Sequence, residues 1–314
     1  MSEDPLWPRA SQWLSGALPA AAAPGGRLGV VGVPLSRTSI SPSGGHETPA
    51  AVRAALRRFP TYHRGLDADL TRLDVVDLGD LPVADLTGAE ALAEVTAQVG
   101  ALPARDLLVL LGGDNAVTRP ALRALASDLA TAGLITLDAH HDVRGFHAGP
   151  TNGTPVRGLI EDGLVGSNVV QLGLGNLTNS AAYRRWCDEQ GLTTVSAAEV
   201  RARGARECMR AALEHLAGCS SIYVDLDVDV LDSSFAPGCP GARPGGLTPG
   251  ELLACAEEAG LHPAVSAVDI VEVDATADVG GRTVDVAAMC LLSVAAGLVR
   301  RDQATASQVV QRDR

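Results

Sequence analysis

Gly133-Leu134-Ile135-Thr136-Leu137-Asp138-Ala139-His140-His141-Asp142 passes from a short apolar run straight into alternating acidic and imidazole side chains. The run is too short for a helix of its own and reads as a strand buried on both faces. Runs of similar character lie near residues 28–33, 73–78, 106–111, 168–173, 192–195, 221–227 and 265–272. Ala-rich stretches with helical composition and spacing separate many of them: Ala50–Phe59, Gly88–Val99, Arg119–Ala130, Ala181–Gln190, Ala197–Leu216 and Pro249–Ala259. The alternation predicts an α/β fold, a three-layer α-β-α single domain with a mostly parallel sheet of roughly eight strands. That domain is expected over residues 27–302, after an irregular Ala-, Pro- and Ser-rich arm at 1–26 and before a polar tail at 303–314. The apolar run Val286 to Val299 is too short to span a bilayer and fits a buried helix.

Three other apolar runs end in the same kind of chemistry: Gly112-Gly113-Asp114-Asn115, Asp225-Leu226-Asp227-Val228-Asp229 and Val271-Glu272-Val273. Side chains at i, i+2 and i+4 of a strand share one face. In open parallel sheets, ligands bind beyond the carboxyl ends of the strands, where all these segments fall. Ionised carboxylates gathered on one face repel each other unless a cation sits among them. The oxygen and imidazole donor set suits Mn²⁺, with Zn²⁺ and Fe²⁺ less well matched. A metal-dependent hydrolase is the expectation.

These motifs resemble those of the ureohydrolase superfamily (arginase, agmatinase and formimidoylglutamase), marked by Gly-Gly-Asp-His, Asp-Ala-His-x-Asp and an Asp-x-Asp followed by Ala-Pro-Gly. Ala236-Pro237-Gly238 places the last pair on Asp227 and Asp229, while Gly32-Val33-Pro34-Leu35 and Pro49-Ala50-Ala51-Val52-Arg53 match the family's first strand and first helix. The resemblance runs from about residue 27 to 299 and implies an arginase-like fold with two Mn²⁺ ions. It implies that Asp138 and Asp227 bridge the ions, that His140 and Asp229 complete one, and that Asp142 helps hold the other. Asn115 stands where the family has a histidine ligand, so the second ion is expected to be weakly held. Asp225 replaces a small family residue and is a candidate either for a substitute ligand or for an acceptor that supports the ligands from behind; His141 is expected to pack or to support the ligands. Glu272 matches the carboxylate that holds the cationic amidine or guanidine, and Asp142 joins it in the catalytic set.

The substrate side departs from arginase. Asn152 replaces a loop histidine, and Gly173-Leu174-Gly175-Asn176-Leu177-Thr178 lacks the acid that meets an α-ammonium. Arg144 adds a cation able to pair with a carboxylate. Asp142-Val143-Arg144 and Asn152-Gly153-Thr154-Pro155 look like the formimidoylglutamase versions. Arg144, Asn152, Thr154, Asn176 and Thr178 are therefore the expected substrate-binding residues. N-formimidoyl-L-glutamate is the expected substrate, hydrolysed to L-glutamate and formamide. The alternatives are a guanidine hydrolase acting on agmatine, a guanidino acid or hydroxyarginine, and a metal-poor non-catalytic subunit.

Composition narrows the rest. The 314 residues are 46% hydrophobic and 20% charged, enough for a large core. Net charge is −12, which disfavours nucleic acid and anionic membranes as partners. All 25 basic residues are arginine, so Schiff-base chemistry and a Walker phosphate loop are excluded. The six cysteines form no C-x-x-C pair and read as reduced thiols of a cytoplasmic protein. The N-terminus lacks a basic region before an apolar stretch, as a signal peptide would require. Family analogy adds a homo-oligomer, a trimer or hexamer.

Overall fold

A computed structural model describes residues 4–18 and 26–312, with the side chains of the last helix described as far as Arg301. The strands are β1 (Arg27–Val33), β2 (Tyr62–His63), β3 (Ala68–Asp69), β4 (Asp74–Asp80), β5 (Leu107–Gly112), β6 (Ala132–Leu137), β7 (Val169–Leu174), β8 (Thr193–Ser196), β9 (Ser221–Asp227) and β10 (Val265–Val271). The helices are α1 (Ala10–Leu14), α2 (Thr48–Ala55), α3 (Gly88–Gly100), α4 (Thr118–Leu125), α5 (Pro155–Glu161), α6 (Ala181–Gln190), α7 (Ala197–Arg203), α8 (Ala205–His215), α9 (Pro249–Leu261) and α10 (Arg282–Arg312).

Eight strands form one sheet in the order β4-β1-β5-β10-β9-β6-β7-β8, every pair parallel; β2 and β3 make a separate hairpin. All residues of β5, β6 and β7 are buried, which is why these strands read as continuous apolar runs instead of alternating ones. Successive side chains of β5 enter different cores. Leu107, Val109 and Leu111 pack with α8, α9 and α10, whereas Leu108 and Leu110 pack with α3 and α4. Two cores on opposite faces of one sheet are the three layers that the alternating pattern predicts.

Several boundaries differ from the sequence expectation. The stretch 197–216 is two helices, because Gly204 takes φ 93° and breaks it between α7 and α8. The stretch 119–130 stops being α-helical at Leu125, and Asp128 caps a separate turn by accepting the N–H of Ala130. The arm at 1–26 is not wholly irregular: α1 docks with Ala10, Trp13 and Leu14 buried, held by the Ala10 N–H to the Phe59 carbonyl. Its residues 1–3 and 19–25 lie outside the described residues. At 303–314 the backbone continues α10 as far as Arg312; the rest of that expected tail lies outside the described residues. The apolar part of α10 is long enough to cross a membrane, but 83% of it is buried inside the protein, as in a core helix. Helix α5, which starts with Pro155 in its first turn, and the β2–β3 hairpin were not expected from the pattern.

Candidate metal centre and active site

Strand order gathers the motifs. β5, β10, β9 and β6 are contiguous in the middle of the sheet, so Asn115, Glu272, Asp227 and Asp138 meet at one carboxyl-terminal edge. Asp138, His140 and Asp229 bring one donor atom each within 4.8 Å of one another, as do Asp138, Asp142 and Asp227. Asp138 belongs to both groups, which is the arrangement two neighbouring cations require.

Electrostatics shows what these acids lack. Burial and the Asp229 charge push the Asp138 carboxyl up to about 7. Asp142 and Asp227 are raised well above the usual range, first by burial and then by neighbouring carboxylates. Burial opposes charge on His140, yet Asp229 and Asp138 prevail and keep the imidazole protonated up to about 12. Its Nδ1 lies 2.7 Å from Asp229 Oδ2, and in return Asp229 is held below the usual range despite its burial. The acids around His140 favour positive charge there, and a divalent cation is the group that this oxygen-rich cluster accommodates.

Asn115 enters the cluster through its amide. Nδ2 donates to Asp142 Oδ2 at 2.8 Å and to Asp227 Oδ2 at 3.2 Å, while Oδ1 lies 2.6 Å from Thr118 Oγ1. Thr118 Oγ1 is also 2.7 Å from Asp269 Oδ2, so its single hydrogen has two acceptors to choose between. With the amide turned over, Nδ2 donates to Thr118, the Thr118 hydrogen goes to Asp269, and Oδ1 faces the acids. A cation among the acids makes that orientation favourable, and Asn115 can then offer it a neutral oxygen donor.

Asp225 does not take the place of the missing histidine. It stands beside Asp269 and Thr136 in the strand register, one level beneath the cluster. There it is buried beside Asp269, and burial and the Asp269 charge raise it well above its ordinary value. The shared face of Asp225 and Asp227 is as expected, but a two-residue step along β9 carries Asp225 below the cluster. His141 packs below as expected, with Nδ1 2.7 Å from Gln171 Oε1.

Glu272 follows β10 with φ 63°, and Asp142 has φ 51°. Non-glycine residues in this left-handed region carry strain of about 1 kcal/mol or more, and such strain concentrates at functional sites. Glu272 Oε1 accepts the Asn115 N–H at 2.8 Å and Asn152 Nδ2 at 3.0 Å. Burial pushes the Glu272 carboxyl up to about 6, against these two donors. Asn152 Oδ1 in turn accepts the Ile40 N–H at 3.0 Å, which ties Glu272 to the loop before α2.

A cavity of about 140 Å³ opens over the cluster and includes Asp142, Asp227, Asp229, His140 and Glu272 in its lining. Arg144, Asn152 and Thr178, three of the residues expected to bind substrate, line it, as do Asn179, Tyr183 and Arg243, which the sequence did not single out. Arg144 lies across Gly153, where a Cβ would come within 2.6 Å of Arg144 Cδ. Thr154 faces elsewhere: its hydroxyl donates to the Thr151 carbonyl at 2.8 Å and it is buried before α5, so it staples the loop. Asn176 is not among the residues lining the cavity, because the loop turns at Leu177 (φ 61°) and sends Thr178 and Asn179 inward.

Residues 27–297 match the model of the arginase family. A formimidoylglutamase of Halalkalibacterium halodurans is 39% identical over 276 residues, covering 86% of each chain. The crystal structure of formimidoylglutamase from Bacillus subtilis superposes with a TM-score of 0.86 at 31% identity, covering 95% of this chain and 94% of that one. A formiminoglutamase of Trypanosoma cruzi, solved with Mn²⁺, gives a TM-score of 0.82 at 25% identity over 94% of this chain and 99% of that one. The contiguous motif strands, the shared Asp138 and the match along nearly the whole domain agree: this chain belongs to the arginase family.

Proposed function

We propose that this chain hydrolyses N-formimidoyl-L-glutamate to L-glutamate and formamide. Water adds to the amidine carbon, the bond from that carbon to the glutamate nitrogen breaks, and that nitrogen takes a proton. The observation that carries the reading is the lining of the cavity, where Arg144 shares one space with Asp142, Asp227, Asp229 and Glu272 while Thr178, Asn179 and Tyr183 offer no acid to an α-ammonium. A substrate whose amidine is cationic and whose other end is anionic matches that polarity. The names of the relatives point to the same chemistry.

Asp138, His140, Asp142, Asp227 and Asp229, with Asn115 as a weaker donor, would hold two Mn²⁺ ions. The chemistry such ions supply when bound is Lewis acidity and a water of lowered pKa. Glu272 holds the amidinium by its planar charge, and Asn152 keeps that carboxylate aimed into the cavity. Arg144 pairs with a substrate carboxylate. The test is a panel of N-formimidoyl-L-glutamate, arginine, agmatine and guanidino acids with Mn²⁺ present. Formamide and glutamate should form at least about 10²-fold faster than urea from any guanidine, the penalty expected when a buried charge loses its partner. Preferential urea release would replace this reading with a guanidine hydrolase.

A further inference from the structure

The cavity holds a second arginine that neither the motifs nor the spacing singled out. Arg243 lies in the loop between β9 and α9 and lines the same space as Arg144. An exposed arginine is ordinarily a solvated one, but this one is held. Its Nη1 donates to the carbonyls of Pro240 and Ala242, both at 2.9 Å. Tethering through one nitrogen leaves Nε and Nη2 with open donor positions on the same rigid plane. The backbone is fixed too: Arg243 bridges to Asp232, and its carbonyl accepts the Ser233 N–H at 3.3 Å. At Gly241 a Cβ would stand 2.4 Å from Asp229 Oδ2, so the loop presses directly on the acidic cluster. Among the described residues, no carboxylate pairs with the guanidinium of Arg144 or of Arg243.

We propose that Arg243 is a specificity residue, a second carboxylate anchor that makes the site selective for amidines carrying two carboxylates. The inference rests on the amidine-hydrolase reading above. The two carboxylates of an N-substituted glutamate lie on separate arms of its α-carbon, so cations on two different loops can each take one in two-pronged contact. Arg144 follows β6 and Arg243 follows β9, so the two cations approach from different loops. One reads each carboxylate.

The experiment compares the Mn²⁺-loaded wild type, Arg243→Gln and Arg144→Gln on three substrates. These are N-formimidoyl-L-glutamate, N-formimidoyl-L-norvaline, which lacks the side-chain carboxylate, and N-formimidoyl-4-aminobutyrate, which lacks the α-carboxylate. Arg243→Gln should raise KM for the dicarboxylate by about 30-fold with kcat changed less than about threefold, the scale of one lost charge-assisted contact. It should leave one truncated substrate almost unaffected, and Arg144→Gln should spare the other one. Arg243→Lys should recover part of the loss. Equal effects of Arg243→Gln on all three substrates, or no effect on any, would overturn the anchor. Failure of the wild type to turn over N-formimidoyl-L-glutamate would instead overturn the substrate reading, and the anchor with it.

Discussion

Glu272 and Asn115 are joined across 157 residues of chain by one hydrogen bond, from the Asn115 N–H to Glu272 Oε1 at 2.8 Å. The residue at the lost histidine position thus orients the carboxylate proposed to meet the substrate. Its side chain meanwhile reaches Asp142 and Asp227 in the metal cluster. Metal binding and substrate orientation therefore share one backbone turn after β5.

Glu272→Gln keeps shape and the two donors but loses the anion facing the amidinium. Steady-state kinetics should show kcat/KM lowered by roughly 10²-fold or more. Manganese content by elemental analysis should not change. A fully active variant would remove Glu272 from the catalytic set.

Mn²⁺ should raise the unfolding temperature, and Asp227→Ala should abolish the rise, because a ligand bound only by the folded state stabilises it. Binding should also tighten with pH. His140, protonated up to about 12 in the metal-free protein, must lose its proton to become a ligand, and Asp138, near 7, must be ionised. Protons are thus released on binding, and the apparent Kd should fall about tenfold per pH unit for each proton released between pH 6 and 8. Calorimetry in buffers of different ionisation enthalpy measures the release; a pH-independent Kd would contradict the ligand assignment.

The protein should retain nearer one tightly held Mn²⁺ than two per chain, since Asn115 offers a neutral oxygen where imidazole would bind better. Asn115→His should raise occupancy of the second site, read by elemental analysis after dialysis. Two tightly held ions in the unmodified protein would show that the amide donor suffices.

Gly153→Ala should act on substrate binding at a distance from the metal. The added methyl meets Arg144 Cδ at 2.6 Å and displaces the guanidinium, so KM should rise toward that of Arg144→Ala with little change in kcat. An unchanged KM would mean that Arg144 grips substrate from another position.

Trp13→Ala tests whether α1 belongs to the domain. Trp13 is 3% exposed, and its removal should cost about 3 kcal/mol or more by the usual loss for a buried large aromatic. Thermal unfolding measures it, and an unchanged midpoint would return α1 to the status of an arm.

The sequence by itself determined the layered α/β class, the strand runs and most of the acidic cluster. These are local signals: a doubly buried strand must be apolar along its length, and the polar residues that end it must sit at the sheet's edge. Asp138, His140, Asp142, Asp227, Asp229 and Glu272 were legible because each directly ends or follows such a run. Tertiary structure alone decided that β10 lies between β5 and β9, which brings Glu272 against Asn115 and Asn152. It decided the depth of Asp225, because side-chain alternation identifies a face of a strand but not a level along it; the register against β10 pairs it with Asp269. It also brought Asn179, Tyr183 and Arg243 to the cavity while turning Thr154 and Asn176 away. Loop positions follow from packing between distant segments, for which local spacing carries no periodic signal.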